Sequence, residues 1–452
     1  MPPSSPTPAR SRAADPPAES PRAWLRLAVS LLLMTLGGSG MYSVTVVLPR
    51  IQAEFGIDRA SASLPYTLTM VGFGLGGVAM GRLADRFGVM WPVLVGSVGL
   101  AIGFVAAGHS TSLWQFGLAQ GLLMGFLGTA STFAPLVADT SQWFTRRRGI
   151  AVAICMSGNY VAGAVWPPVM QHFIETVGWR STYVGVGVFC LVTMLPLAFM
   201  LRGRAPAAAL TPTLSQGGRE PGPGLSPRER GLDPSLSSAA PERPLGLAPA
   251  TLQGLLCLAG VACCVAMSMP QVHIVAYCGD LGFGAARGAQ MLALMLGLGV
   301  VSRLVSGWIS DHIGGLRTLL LGSVLQGVAL LLFFFNDALV SLYVISALFG
   351  LFQGGIVPSY ALIVREHFSP AQAGTRVGTV LMATLFGMAL GGWMSGAVFD
   401  ATGSYRAAFG NGIAWNLLNV SIVLFLLWRA RRGAGGRAAP GRESLAMDRS
   451  PT

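Results

Sequence analysis

Residues 81–88 read GRLADRFG, and residues 307–314 read GWISDHIG. Laid over one another, the two octets align Gly81 with Gly307, Asp85 with Asp311 and Gly88 with Gly314. A second pair keeps the same register: GWRSTY at 178–183 and GSYRAAF at 403–409 align Arg180 with Arg406. Each octet is a charged island between long apolar runs. The chain therefore repeats itself once, and each repeat holds several runs, as expected of two halves related by an axis along a membrane normal.

The runs themselves settle the solvent. Of 452 residues, 52% are hydrophobic and only 11% charged, with a mean hydropathy of +0.60. A soluble domain carries about 25% charged residues. Runs of about 20 apolar residues, each long enough to cross a bilayer core of roughly 30 Å, fall near 24–49, 61–81, 89–108, 113–138, 150–172 and 181–201. Six more fall near 251–277, 287–309, 317–335, 339–364, 377–398 and 406–428. The first could pass for a signal-peptide core, but it continues without a small-residue cleavage site and is read as a spanning helix.

The expected fold is all-α: twelve transmembrane helices in two pseudo-symmetric six-helix bundles. Residues 1–22 form a Pro/Ala/Ser/Arg-rich tail, 23–201 the first bundle, 202–250 a Pro/Gly/Ser-rich linker, 251–428 the second bundle and 429–452 a second tail.

The net charge of +12 is carried entirely by arginine, since the chain has no lysine. Its placement points to a membrane rather than to nucleic acid. With both termini and the linker in the cytosol, eight arginines fall in inner loops and sixteen in the tails and linker, Arg26 being counted with the first tail. Five fall in outer loops: Arg50, Arg59, Arg180, Arg287 and Arg406. This is the positive-inside pattern, and it implies a multi-pass protein of the plasma or inner membrane. One arginine is left over, Arg303, in the apolar sequence VVSRLVSG at 300–307.

These residues resemble the major facilitator superfamily, and the resemblance covers 24–428. The loop motif at 81–88 is its most specific element. In that family the Asp and Arg of the loop join contacts that latch the outward-open state, which implies such a role for Gly81, Asp85, Arg86 and Gly88, for their echo Gly307 and Asp311, and for Arg147 and Arg148. A narrower likeness is to the monocarboxylate-porter branch. WFTRRRGIAVAICMSGNYVAGAVWPP at 143–168 is similar to that branch's approach to helix 5, with Arg147 and Arg148 in its basic cluster. PQVHIVAYCGDLGFG at 270–284 is similar to its helix 7 exit, and Arg303 matches its carboxylate-binding arginine. The chain departs from the branch in three ways. It lacks the Asp-Gly-Trp at the start of helix 1, a lysine in helix 1, and the helix 8 aspartate, whose place is taken by Gly299.

An arginine at mid-helix costs about 2.5–3.5 kcal/mol on insertion scales, so it normally faces a wet cavity or a partner. Gly299, Arg303, Gly307 and Asp311 are spaced by four and share one helical stripe. No acidic residue falls deep inside any expected helix, so an unpaired guanidinium there is a two-pronged receptor for a substrate carboxylate. His273 follows Pro270 in helix 7 and shares a face with Tyr277, where it could bond a carboxylate or carry a coupling proton. Asn159, Tyr160, Tyr66, Gln353 and Tyr360 each put a polar head in an apolar run, as ligand contacts or as interhelical glue.

The expected activity is secondary transport of a small organic anion, a monocarboxylate, by alternating access. Proton symport through His273 is the simplest coupling and anion exchange the alternative. Partners are the carboxylate, protons and the lipid bilayer, and the chain is expected to be a monomer. No nucleotide loop, cofactor motif, metal-ligand spacing or catalytic constellation is present, and the six cysteines read as small buried hydrophobes. Drug efflux on the same fold and a non-transporting membrane sensor are the competing readings.

Overall fold

The computed structural model describes residues 20–144, 147–203 and 244–436. The tail to residue 19, linker residues 204–243, Arg146, and the tail from 437 lie outside the described residues, as does the side chain of Arg148.

Twelve helices are long and apolar enough to span a membrane: α1 (Pro21–Phe55), α2 (Arg59–Phe87), α3 (Met90–Gly108), α4 (Leu113–Trp143), α5 (Gly149–Val177) and α6 (Trp179–Met200), then α7 (Pro249–Asp280), α8 (Ala285–Ile313), α9 (Gly315–Phe335), α10 (Leu339–His367), α11 (Gly374–Thr402) and α12 (Tyr405–Arg432). Most overrun the apolar runs by several residues, because polar residues at the ends continue the backbone ladder into the interface. Large apolar side chains such as Leu32, Val98, Phe189, Leu331 and Leu417 point outward, as lipid requires.

The sequence echo is also a backbone echo. Gly88 ends α2 at φ 90°, ψ 162°, and Gly314 ends α8 at φ 82°, ψ 163°. That region is open in practice only to glycine. Both octets therefore turn the chain in the same way.

Three helices are interrupted where they cross others closely. α1 is jointed at Gly38, which packs on Ala162 of α5. α4 carries a π-helical stretch over Ala119–Thr129, where Gly72 and Gly76 of α2 lie against backbone carbonyls of α4. α10 breaks at Gly354 and Gly355, which press on Gly299 and Ser306 of α8. Small residues let these backbones approach, and a freed carbonyl at such a break is available to a side chain.

Candidate functional site: an arginine between the two bundles

Arg303 stands on α8 where that helix meets α5 of the other half. Its Nη1 donates to the Met156 carbonyl at 3.3 Å and its Nε to the Gly354 carbonyl at 3.5 Å. Its guanidinium carbon sits 4.4 Å from the centroid of the Tyr160 ring. Both hydrogen bonds are long and both acceptors are neutral. Tyr42 of α1 lies within electrostatic range of Arg303 and of Tyr160. Among the described residues no carboxylate pairs with Arg303; the four ion pairs lie elsewhere.

Gly299 explains the arrangement. A Cβ there would overlap the Tyr160 ring. The position one turn before Arg303 is kept bare, and an aromatic ring from α5 fills the space and presents its face to the cation. Gly307, one turn beyond, borders open space.

The other expected site residues do not converge on this point. Asn159 lies beside the Gly38 joint. The His273 ring is wholly buried between α7 and α11; its Nε2 donates to the Gly392 carbonyl at 2.9 Å, and its Nδ1 has no partner among the described residues. Tyr66 packs against the same Gly392, with its hydroxyl buried and likewise unpartnered. Gln353 accepts from Gln271 at 2.7 Å. Tyr277 donates to Asp337 at 2.7 Å, near the end of the molecule that carries Arg59. Tyr360 donates to Asn419 at 3.0 Å, and Asn419 in turn donates to Ser323 at 2.7 Å. The hydroxyls of Tyr277 and Tyr360 are thus engaged inside the second half.

One end of the molecule is tied shut across the halves. Arg59, at the start of α2 and 6% exposed, reaches Asp280 at the end of α7 with its Nη1 at 2.9 Å. It also bonds the Tyr405 hydroxyl and lies 4.6 Å from the centroid of the Phe399 ring. Asp400 of α11 accepts from the backbone N–H of Arg59 at 2.9 Å and of Ala60 at 2.7 Å. A carboxylate of the second half therefore sits on the N-terminus of a first-half helix, where the dipole favours it. Asp337, in the short connection before α10, is held below the usual carboxylate range by the Tyr277 phenol and the Arg406 guanidinium.

At the opposite end, Asp85, Asp311 and Arg82 make no hydrogen bond or ion pair among the described residues, and Gly81 borders open space. Arg86 rests on its neighbour Phe87, 5.2 Å from the ring centroid. Arg147 opens α5 at this end and has an interaction partner.

Three features are visible only in the structure. Arg26, which borders the N-terminal tail in sequence, lies inside α1, 7% exposed, and holds Asp139 through two bonds of 2.6 and 2.9 Å beneath Trp143. Arg303, half-buried, is therefore not the only cation set within an apolar helix; unlike Arg26, it has no acid partner among the described residues. Asp139 lies deeper than the apolar runs imply, because α4 continues to Trp143. Tyr42, a tyrosine in an apolar stretch, carries no signal in the sequence. Arg59 does carry one: Glu54, Trp179 and Arg180 recur, in the register of the repeat, as Asp280, Tyr405 and Arg406.

Known proteins agree with the fold. The Major Facilitator Superfamily model matches residues 29–335 and 301–447. Monocarboxylate transporter 13 of Bos taurus is 29% identical over 330 residues, covering 72% of this chain and 71% of its own. Monocarboxylate transporter 11 of Homo sapiens is 27% identical, covering 76% and 68%. The MFS-type transporter hasB of Aspergillus fumigatus is 26% identical, covering 86% and 85%. Among solved structures, a bacterial homologue of the human lysosomal transporter Spinster, inward-facing and unoccupied, superposes with a TM-score of 0.66 at 17% identity, covering 93% of this chain and all of that one. The nucleoside transporter NupG gives a TM-score of 0.67 at 14% identity, covering 90% and 99%. With twelve spanning helices, a repeated half and a family model matched along most of its length, the chain belongs to the Major Facilitator Superfamily of membrane transporters.

Proposed function

We propose that the chain carries a small organic anion of the monocarboxylate class across a cell membrane by alternating access, with Arg303 as the receptor for the carboxylate. One observation carries the reading. A permanently charged guanidinium lies at the seam of the two halves, held among the described residues only by two carbonyls at 3.3 and 3.5 Å and an aromatic face. A bidentate carboxylate would supply the missing charge and the shorter bonds. The monocarboxylate transporters among its relatives support the same cargo class.

The termini and linker lie in the cytosol, and the Arg59 end faces outward. In this arrangement the molecule is closed outside and open inside. Gly81, Asp85, Arg86 and Gly88, with Gly307, Asp311, Arg147 and Arg148, form the cytosolic latch that engages when the molecule opens outward. Tyr160 backs Arg303 in the site. His273, with a free ring nitrogen in a buried seam, is the group that a proton-coupled cycle would use.

Uptake of radiolabelled lactate, pyruvate and phenylpyruvate by proteoliposomes tests the reading. The expected result is uptake of at least one acid by the unaltered protein and its loss on Arg303→Gln; uptake unaffected by Arg303→Gln would reject the assignment.

A further inference from the structure

We infer that the carrier is an obligatory exchanger, taking one monocarboxylate in only as a second leaves; this rests on the carboxylate reading of Arg303. The groups that face Arg303 are few. α5 offers the Met156 carbonyl and the Tyr160 ring, α10 the Gly354 carbonyl, and α1 contributes Tyr42 nearby. Neither tyrosine supplies a carboxylate. Between Tyr160 and the helix, Gly299 leaves no side chain that could carry an acid. Among the described residues the aspartates and glutamates that pair with arginine are committed to Arg26, Arg59, Arg180 and Arg406.

α7 also packs on α8, and its histidine, tyrosine and aspartate bond groups other than Arg303. His273 is bonded to Gly392 of α11, and Tyr277 to Asp337. No proton gained or lost at either changes the charge beside Arg303 directly.

The empty site therefore holds one uncompensated positive charge. To return empty, the carrier must pass through a state closed at both ends, with that charge cut off from water and held by neutral groups alone. Burying a lone charge is strongly unfavourable. Loaded with a monocarboxylate, the same site is neutral and doubly hydrogen-bonded. The loaded carrier crosses and the empty one does not, so each crossing needs an anion in both directions. The exchange moves one negative charge each way and leaves no net charge displaced.

The test uses the full chain in proteoliposomes, with external radiolabelled lactate, pyruvate or phenylpyruvate. Vesicles are filled either with the same unlabelled acid or with buffer alone. Initial uptake is expected to be about tenfold or more faster into acid-filled vesicles, a factor that follows from a small difference in barrier. It is expected to be unchanged by an imposed pH gradient or membrane potential. Equal uptake into filled and buffer-only vesicles, or uptake into buffer-only vesicles driven by external acid, overturns exchange while leaving the carboxylate site standing. Absence of uptake for all three acids in both kinds of vesicle overturns the carboxylate reading itself, and exchange with it.

Discussion

Asp280 stands at the end of α7 where Glu54 stands at the end of α1, yet the two carboxylates hold different partners. Glu54 accepts from Arg180 and Trp179 of its own half, each at 2.6 Å. The matching residues of the second half are Arg406 and Tyr405. Arg406 is drawn away to Asp337 at 2.8 Å, while Asp280 reaches across the seam to Arg59 at 2.9 Å. In the first half the corner pairs within its own bundle, and in the second half the matching acid ties this end across the seam.

Removing that cross-tie should open the molecule at the Arg59 end. A hydrogen bond to a charged group contributes about 1.5–3 kcal/mol, so Arg59→Gln is expected to shift the conformational balance about 10- to 100-fold. Spin labels at Ala53 and Ala401, both exposed, should report a longer distance in the variant. An unchanged distance distribution would show that other contacts keep the end shut.

The bare position at 299 gives a packing test. Gly299→Ala must displace the Tyr160 ring from beneath Arg303, because the added methyl and the ring overlap. Transport should fall several-fold, with the loss in apparent affinity. Gly297→Ala is the control, since its Cβ would meet only the Ala164 methyl at 3.6 Å. Equal effects of the two substitutions would remove the special role of the Tyr160 stack.

Asp337 sets a pH expectation. Its carboxyl is held below the usual value of about 3.9 by the Tyr277 phenol and then by Arg406. A depressed carboxylate contributes stability above its unfolded-state pKa and loses it as pH falls through the lower folded-state pKa. The difference in melting temperature between the unaltered protein and Asp337→Asn should therefore be constant from about pH 7.5 to 5.5 and shrink below about 4. A difference that fades near pH 6 would mean that another group titrates with it.

Tyr360 separates structure from binding. Its hydroxyl, wholly buried, bonds Asn419, which bonds Ser323. Tyr360→Phe should lower stability by about 1–3 kcal/mol, the effect of leaving a buried partner unsatisfied, with little change in carboxylate affinity. A large loss of affinity at unchanged stability would return Tyr360 to the substrate site.

Much of this architecture is legible in the sequence because its signals are local. Apolar runs give spans, and the octets at 81–88 and 307–314 give the repeat, whose final glycines share one unusual backbone conformation. Arg303 stands out because a charge in an apolar run is conspicuous by itself. Its surroundings are not legible. That Gly299 makes room for Tyr160, far earlier in the chain, depends on how α5 and α8 cross. Arg26 looks like a neighbour of the tail because helix α1 begins at Pro21, before the apolar run does. Arg59 looks like one more loop arginine, and only the repeated companions Glu54, Arg180, Asp280 and Arg406 mark this corner as a place where the halves meet.

The most direct measurement is equilibrium binding of a labelled monocarboxylate to the purified protein, compared among the unaltered chain, Arg303→Lys and Arg303→Gln. The account predicts saturable binding, weakened by Arg303→Lys, which keeps the charge but loses the two-pronged geometry, and weakened about 10- to 100-fold by Arg303→Gln. Saturable binding of equal strength in all three would contradict it.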